Sequence, residues 1–454
     1  MTLREKMLAV IDDVNAQVAE REELTEMIAI ALLTRKNLFI LGDPGQAKSY
    51  AINAFRSRIT GAVQFERLLS KQTDEEQLFG RIDLASMIPG AVPEKLLEKD
   101  SKYQGMRKAL EAAMDDLRNF PEYDSPNKTV EELTAKMESY RKAMAALYPP
   151  EPMVDTTGKL PEAHISFLDE IFKCNDGVLN SLLTALNERK YTNEGRTYSI
   201  PTISFFAASN EVPNFNDPQE KILAALYDRL ELKVVTANIA ERGKRLAVLR
   251  DKQTGRFGGV HASITLDELR DMQKEVAAIP VPDAINELAD DILCELRKDI
   301  PVSDRKYLNY YPIAQAKAWL EGHAAVESTD LLALKNYLWY KPADIPQVEA
   351  TLTRMCVNPM QDKVNDLRAM AQSVVDELNA STDAGVEPIK AFRKFRTEMV
   401  RVYKLYADLA QKAQGANEQT MLDALLAEME NASRVAHEKN GFTPSPLKEL
   451  AELQ

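Results

Sequence analysis

The chain is poor in cysteine, short of positive charge relative to negative, and without a long apolar run, and each shortage removes a class of protein. Three cysteines among 454 residues, Cys174, Cys294 and Cys356, stand far apart in sequence. They suggest neither a disulfide framework nor a zinc site, which fits a reducing compartment. Lysine and arginine number 57 against 70 aspartates and glutamates, a formal net charge of −13. A nonspecific nucleic-acid binder needs a basic face, so this balance argues against one. No stretch approaches the roughly 18 consecutive apolar residues of a membrane-spanning helix. The opening M-T-L-R-E-K-M-L-A-V-I-D-D sets charges on both sides of a very short apolar patch, which reads as the start of an amphipathic helix and not as a secretory leader. The expectation is a soluble, cytoplasmic protein. With 45% hydrophobic and 28% charged residues, the chain can build two or three ordinary cores.

What is present begins with N-L-F-I-L-G-D-P-G-Q-A-K-S-Y-A-I-N, residues 37–53. Leu38, Phe39, Ile40 and Leu41 form the short apolar run of a buried parallel strand. Gly42 and Gly45 free the backbone around Asp43 and Pro44, so the chain can turn sharply and point amides inward. Lys48 and Ser49 then open a helix whose unpaired amides and dipole favour an anion. The pattern is that of a phosphate loop, G-x-x-x-x-G-K-[ST], with Ala47 in place of the last glycine. The added methyl is expected to be tolerated because a first helical turn uses right-handed backbone. Gly42, Asp43, Pro44, Gly45, Gln46, Ala47, Lys48, Ser49 and Tyr50 are therefore candidate ATP contacts, with Lys48 on the outer phosphates and Ser49 on Mg2+. The competing reading is an ordinary strand–turn–helix with a surface lysine.

Such a loop needs a partner that holds the metal and activates water. The run A-H-I-S-F-L-D-E-I-F-K at 163–173 is an apolar strand ending in two carboxylates. Asp169 is suited to a metal-bound water and Glu170, one step on, to polarising the attacking water; alternatively the pair caps the next helix. A third apolar strand, from Thr202, ends at Ser209 and Asn210, whose side chain could orient water beside the γ-phosphate. In A-L-Y-D-R-L at 225–230, Arg229 closes a helix just before the strand-like L-K-V-V. It makes either a weak surface ion pair or a reach into a neighbouring subunit's ATP. Far downstream, V-S-D-R-K at 302–306 opens a helix that either simply begins there or sets Arg305 over the same phosphates.

In this order, G-D-P-G-Q-A-K-S, E-R-L-L-S-K-Q-T-D-E-E-Q-L-F-G (66–80), G-K-L-P-E-A-H-I-S-F-L-D-E-I-F-K (158–173), L-N-S-L-L-T-A-L-N-E-R-K (179–190), A-A-S-N-E, A-L-Y-D-R and V-S-D-R resemble the MoxR branch of the AAA+ ATPases, and within it the regulatory ATPase variant A proteins, over roughly residues 10–345. Alanine before the loop lysine is normal in that subfamily. The resemblance implies an α/β fold: a P-loop AAA+ core with a parallel sheet flanked by helices (1–237), a helical lid (238–345), and an all-α extension (346–454). It implies that Lys48 and Ser49 bind phosphate and magnesium, that Asp169 and Glu170 are the Walker B pair, that Asn210 is sensor 1, Arg229 the arginine finger and Arg305 sensor 2. Arg189 matches a second arginine on the inter-subunit side, and Val18 to Arg21 the segment covering adenine. It further implies ATP and Mg2+ as cofactors, a ring of identical subunits, normally hexameric, and a chaperone-like role on protein complexes, frequently with a von Willebrand factor A domain partner.

The chain departs from that pattern twice. Between Leu84 and Gly158, where the family has a short β-hairpin, Met106, Leu110, Met114 and Leu117 form one helical stripe. Val130, Leu133, Met137, Tyr140, Met144 and Leu147 form another, with Thr129 and Glu132 as a capping box and F-P-E-Y-D-S-P-N-K as the connection. A helical hairpin spanning about 85–157 is expected, either for protein contact or as a brace on its own subunit. At the other end, helices are expected at 360–378, 386–413 and 420–438, the middle one carrying Arg393, Lys394, Arg396, Arg401 and Lys404 on a mainly solvated face. No alternating run marks the β-rich module of the variant A proteins. Three functions compete: a remodelling ATPase, a nucleotide-gated scaffold with little turnover, and, disfavoured by the acidic balance, a nucleic-acid motor.

Overall fold

The structure is a computed structural model and describes all residues except 89–90, 120–123, 148–152, 194–195, 216, 218–219, 255–260, 358, 384–386, 412–415 and 454. Two compact units form, one of Met1–Ile279 with Trp319–Gly322, the other of Pro280–Ala318 with His323–Gln454.

The first unit is organised by five parallel strands: β1 (Leu38–Leu41), β2 (Gln64–Leu68), β3 (Ile165–Asp169), β4 (Ser204–Ser209) and β5 (Leu232–Val235). They are hydrogen-bonded in the order β5-β1-β4-β3-β2. The inner strands are apolar and buried almost from end to end, as parallel strands covered on both faces must be. The edge strand β2 buries Phe65 and leaves its other residues exposed. Two helices pack in sequence before β1. Leu3–Asn15 is opened by a capping box between Thr2 and Glu5, and Glu22–Thr34 buries nearly its whole length from Leu24 to Leu33, as a helix apolar all round does. Because every strand runs the same way, the loops leaving β1, β3 and β4 emerge along one edge, where open α/β sheets bind ligands.

The first unit extends past residue 237, the expected end of the core. Ile264–Thr265 pairs with Ile59–Thr60, and the helix Leu266–Ala277 buries Leu269 and Met272 while Gln273 donates to the Leu32 carbonyl at 2.7 Å. These contacts tie the first expected lid residues to the sheet unit.

The long insert is a helical hairpin, Ser101–Asn119 and Asp124–Leu147, rooted on a two-stranded ribbon of Arg81–Asp83 and Met153–Asp155. At its base Met144 packs with Val92 and Leu97, flanked by Tyr103 and Tyr140. The second helix starts one turn before the expected capping box at Thr129. Pro126 was expected in the connection, but a helix's first turn tolerates proline because its N–H has no intrahelical partner there.

The second unit contains no strand among its described residues. Its C-terminal helices are Pro359–Asp383, Pro388–Ala410 and Ala416–Lys439; residues 386 and 412–413 of the expected middle helix lie outside the described residues. Val364, Leu367, Met399, Leu422, Leu425 and Met429 form the core of this bundle. Leu447 and Leu450 close it from a short final helix, Leu447–Glu452, that the periodicity did not announce. The same unit contains the helix Ile345–Val357, so no unit boundary falls at 345/346. On the basic middle helix, Lys394 pairs with Glu377 and Arg401 lies 3.4 Å from Glu398. No described helix is long and apolar enough to cross a membrane.

Candidate active site

The loop after β1 is shaped by residues that resist other conformations. A Cβ on Gly42 would lie 2.0 Å from Thr236 Oγ1 and 2.4 Å from Gln46 Oε1, so a side chain there would displace the bond between those two groups. Gly45 has φ 85° and Ala47 φ 59°. The expected right-handed backbone at Ala47 is therefore corrected: this alanine is left-handed and is the N-cap of the helix Lys48–Arg56, a conformation that costs an L-residue roughly 1–2 kcal/mol. The reason is geometric. Left-handed residues on either side of Gln46 turn successive amides toward one concavity, which a right-handed Ala47 would not do.

Gln46 is buried and anchors the loop twice. Its Oε1 accepts from Thr236 Oγ1 at 2.9 Å, and its carbonyl accepts from the buried Arg21, from Nε at 3.3 Å and Nη2 at 3.0 Å. Arg21 also donates to the Ala237 carbonyl at 2.7 Å and the Glu20 carbonyl at 2.6 Å. It thereby staples the loop to the exit of β5. Sequence reasoning set this segment beside adenine and missed the staple, because an arginine ahead of an apolar helix carries no sign of which carbonyls it will meet.

Lys48 is buried, and its Nζ donates to the Gly42 carbonyl and, at 3.1 Å, to that of Asp43. Burial holds its ammonium below the ordinary lysine value, opposed by the carboxylates of Asp169, Glu170 and Asp43. The loop lysine and the acidic strand end are thus one electrostatic site. Asp169 closes β3 and its Oδ1 accepts from the Glu170 amide at 3.0 Å. Glu170 is left-handed, φ 53°, with a carboxylate oxygen 3.1 Å from Lys173 Nζ. The competing reading of this pair as a helix cap holds only for the backbone: Glu170 is the N-cap of the short 3-10 turn Ile171–Lys173 but makes no side-chain cap bond. The longer helix that follows, Asp176–Glu188, is capped by Asn175, whose side chain accepts from the Val178 amide at 3.0 Å.

Asn210 follows β4, the strand between β1 and β3, and is exposed. The bond from the Gly42 amide to the Ser209 carbonyl, 3.1 Å, holds that strand end against the loop. Ser49 is half-buried, Tyr50 exposed. Arg229 ends the helix Leu223–Asp228; its Nη1 donates to the Ala225 carbonyl at 2.6 Å, and its own carbonyl accepts from Asn37 Nδ2 at 2.9 Å. Arg189, expected to face a neighbouring subunit, turns inward instead. Its guanidinium donates to Asn37 Oδ1 at 2.7 Å and the Leu186 carbonyl at 2.6 Å, and lies 4.8 Å over the Phe205 ring; burial lowers its pKa to about 10. Arg305 belongs to the second unit, exposed on the short helix Asp304–Leu308, which Ser303 opens by accepting from the Lys306 amide at 3.3 Å.

Residues 5–98 and 144–274 match the family model described as the MoxR domain in the MoxR-vWA-beta-propeller ternary systems, and residues 280–352 match an AAA lid domain. The unmatched stretch between 98 and 144 is most of the helical hairpin. Two uncharacterized proteins of Methanocaldococcus jannaschii are similar along most of the chain. MJ0079 is 27% identical over 375 residues, 82% of this chain and 80% of its own; MJ0812 is 26% identical over 369 residues, 81% and 80%. A crystal structure from Cytophaga hutchinsonii shares the fold, with a TM-score of 0.52 at 14% identity over 78% of this chain and 94% of its own. The chain therefore has the domain architecture of a MoxR-family AAA+ ATPase, a MoxR domain followed by an AAA lid.

Proposed function

We propose that this chain is a Mg2+-dependent ATP hydrolase of the regulatory ATPase variant A kind, acting in the cytoplasm as a hexameric ring of its own copies. In this reading it remodels or activates a protein complex that includes a von Willebrand factor A domain partner. The observation that carries the reading is the meeting of the strained loop, the buried Lys48 and the carboxylates of Asp169 and Glu170 along one sheet edge.

The amides of the loop from Gly45 to Ser49 and the Lys48 ammonium bind the phosphates, with Gly42, Asp43 and Pro44 shaping the turn and Tyr50 at the rim. Magnesium in nucleotide sites takes one or two protein oxygens and fills its shell from phosphate and water. Ser49 and Asp169 fit that demand, and among the described residues no larger cluster of His, Cys, Asp and Glu forms a metal cage. When bound, the ion neutralises charge building on the phosphates. In this division of labour the Asp169 carboxylate would serve the metal while Glu170, on left-handed backbone one residue on, would polarise water. Asn210 orients that water. Arg229 stabilises the charge of the neighbouring subunit's reaction, and the family resemblance alone assigns Arg305 to phosphate. The ternary system named in the family model's description supports the von Willebrand factor A partner. The net charge of −13 and the acid-paired basic helix favour protein over nucleic acid as the client.

The test is steady-state hydrolysis with and without Mg2+ and with a von Willebrand factor A domain protein added. Glu170→Gln should bind ATP, turn it over very slowly and retain the partner in affinity capture, whereas Lys48→Ala should lose ATP binding. Turnover by Glu170→Gln at the parent's rate would overturn the assignment.

A further inference from the structure

Two residues beyond Glu170, Phe172 turns from the acidic end of β3 into the core. Two residues before Arg229, Tyr227 does the same from the arginine's helix. Their ring centroids lie 6.1 Å apart, tilted by 49°. Phe39, inside β1, is 5.3 Å from Phe172 and 5.7 Å from Tyr227, and Phe215, in the chain that follows Asn210, is 5.3 Å from Tyr227. Tyr227 is fully buried and so touches rings sent from behind the phosphate loop, the acidic turn and the Asn210 loop. A cation also meets it: Lys233 Nζ stands 4.5 Å over the ring. Lys233 is the register partner of Phe39, so both point to the same face of the sheet.

The helix that presents Arg229 has six residues, too few to keep a conformation or a direction by its own hydrogen bonds. Its buried side chains are Leu226 and Tyr227. Tilted and edge-on aromatic contacts constrain direction as well as distance, which a merely greasy contact does not.

We propose that Tyr227 is a positioning residue, its ring held among Phe39, Phe172 and Phe215, that couples the turn carrying Glu170 to the helix carrying Arg229, so that the subunit's own acidic turn and the arginine it offers to the neighbouring site keep one geometry. The proposal rests on the ATPase reading for its kinetic consequence but not for the coupling itself. A shift of about 1 Å in a reacting group costs on the order of 100-fold in rate, so loosening this joint strikes turnover while leaving nucleotide affinity to the loop.

Two measurements test it. In hydrogen exchange without nucleotide, Phe172→Leu should speed exchange across Leu223–Asp228, although no residue of that helix has changed. Phe79→Leu, a more deeply buried ring stacked on Tyr191 instead, should not. Equal effects of the two, or none from Phe172→Leu, would overturn the coupling. In kinetics, Tyr227→Leu should lower kcat about 10–100-fold with ATP affinity within about twofold of the parent, Tyr227→Phe, which keeps the ring, should retain more of kcat than Tyr227→Leu, and Phe172→Leu/Tyr227→Leu should be no slower than the worse single variant. Multiplying losses in the double variant would overturn it. Tyr227→Met replaces Tyr227→Leu if the latter does not fold. Should the parent hydrolyse no ATP, the ATPase reading fails while the exchange experiment still judges the joint.

Discussion

Ala47 and Glu170 hold left-handed backbone, φ 59° and 53°, on the two sides of the proposed phosphate site. Neither is glycine, so each stores strain where the loop and the acidic turn need an unusual direction. Ala47 is exposed, and its methyl has no packing to compensate. Ala47→Gly should therefore raise stability by about 1 kcal/mol, the left-handed penalty of alanine less the extra freedom glycine gives the unfolded chain. The midpoint of urea unfolding measures this. A lower midpoint would show that the methyl stiffens the folded loop by more than its strain.

Arg229 should act across a subunit boundary. Arg229→Ala should bind ATP yet lose about 10³–10⁵-fold in turnover, the range of arginine fingers. Mixing it with Glu170→Gln creates interfaces that pair an intact Glu170 with an intact Arg229, so part of the activity should return. If Nη1 only ties down the Ala225 carbonyl of its own helix, mixed assemblies confirmed by native mass spectrometry will stay inactive.

The helical hairpin should be separable. The family model leaves the chain at 98 and rejoins it at 144, and Met144 belongs to the cluster at the hairpin's base. Removing 99–143 and closing with a short Gly/Ser linker keeps that cluster's Val92, Leu97 and Met144. Basal hydrolysis should persist, while any stimulation that depends on contact with the hairpin disappears. Insoluble product would show that the hairpin braces the core.

Stability should carry an acid-sensitive contribution from Asp13. Burial would raise its carboxyl, but hydrogen bonds and charge from Arg58 and His261 outweigh this and hold it below the ordinary carboxylate value. Between the folded value and the ordinary one near pH 4, the unfolded chain binds more protons. The contribution is thus complete above about pH 4 and lost as the pH falls through the folded value. Asp13→Asn should be less stable than the parent at about pH 6, and the gap should narrow toward about pH 3 in denaturant titrations. A gap constant over that range would rule the linkage out.

Sheet and loop were legible because their signals are local. Leu38–Leu41 is an apolar run ending at Gly42, Leu232–Val235 a strand-like run broken by Lys233, and both are strands of the structure. The C-terminal stripes were legible for the same reason, since each helix carries its own periodicity. What escaped depends on distant partners. Arg21 and Arg189 look alike as surface arginines in sequence, yet both meet carbonyls of the core, Arg21 at Gln46 and Ala237, Arg189 at Leu186. The hand of Ala47 escaped because alanine adopts right-handed backbone nearly everywhere, and only the concavity it completes demands otherwise. The core's extension to Ile279 escaped because two residues, Ile264–Thr265, are too short to announce a strand without Ile59–Thr60 beside them.

The Lys48 ammonium already has partners in its own loop, the carbonyls of Gly42 and Asp43. An anion that recruits it must therefore win a competition, because a hydrogen bond to a charged group is worth about 1.5–3 kcal/mol. A singly charged ion meeting a few amides gains little over that. A polyphosphate, which engages the amides and the lysine at several oxygens together, gains enough to exchange one set of acceptors for another. On that balance the loop would admit a polyphosphate in preference to a small, singly charged anion.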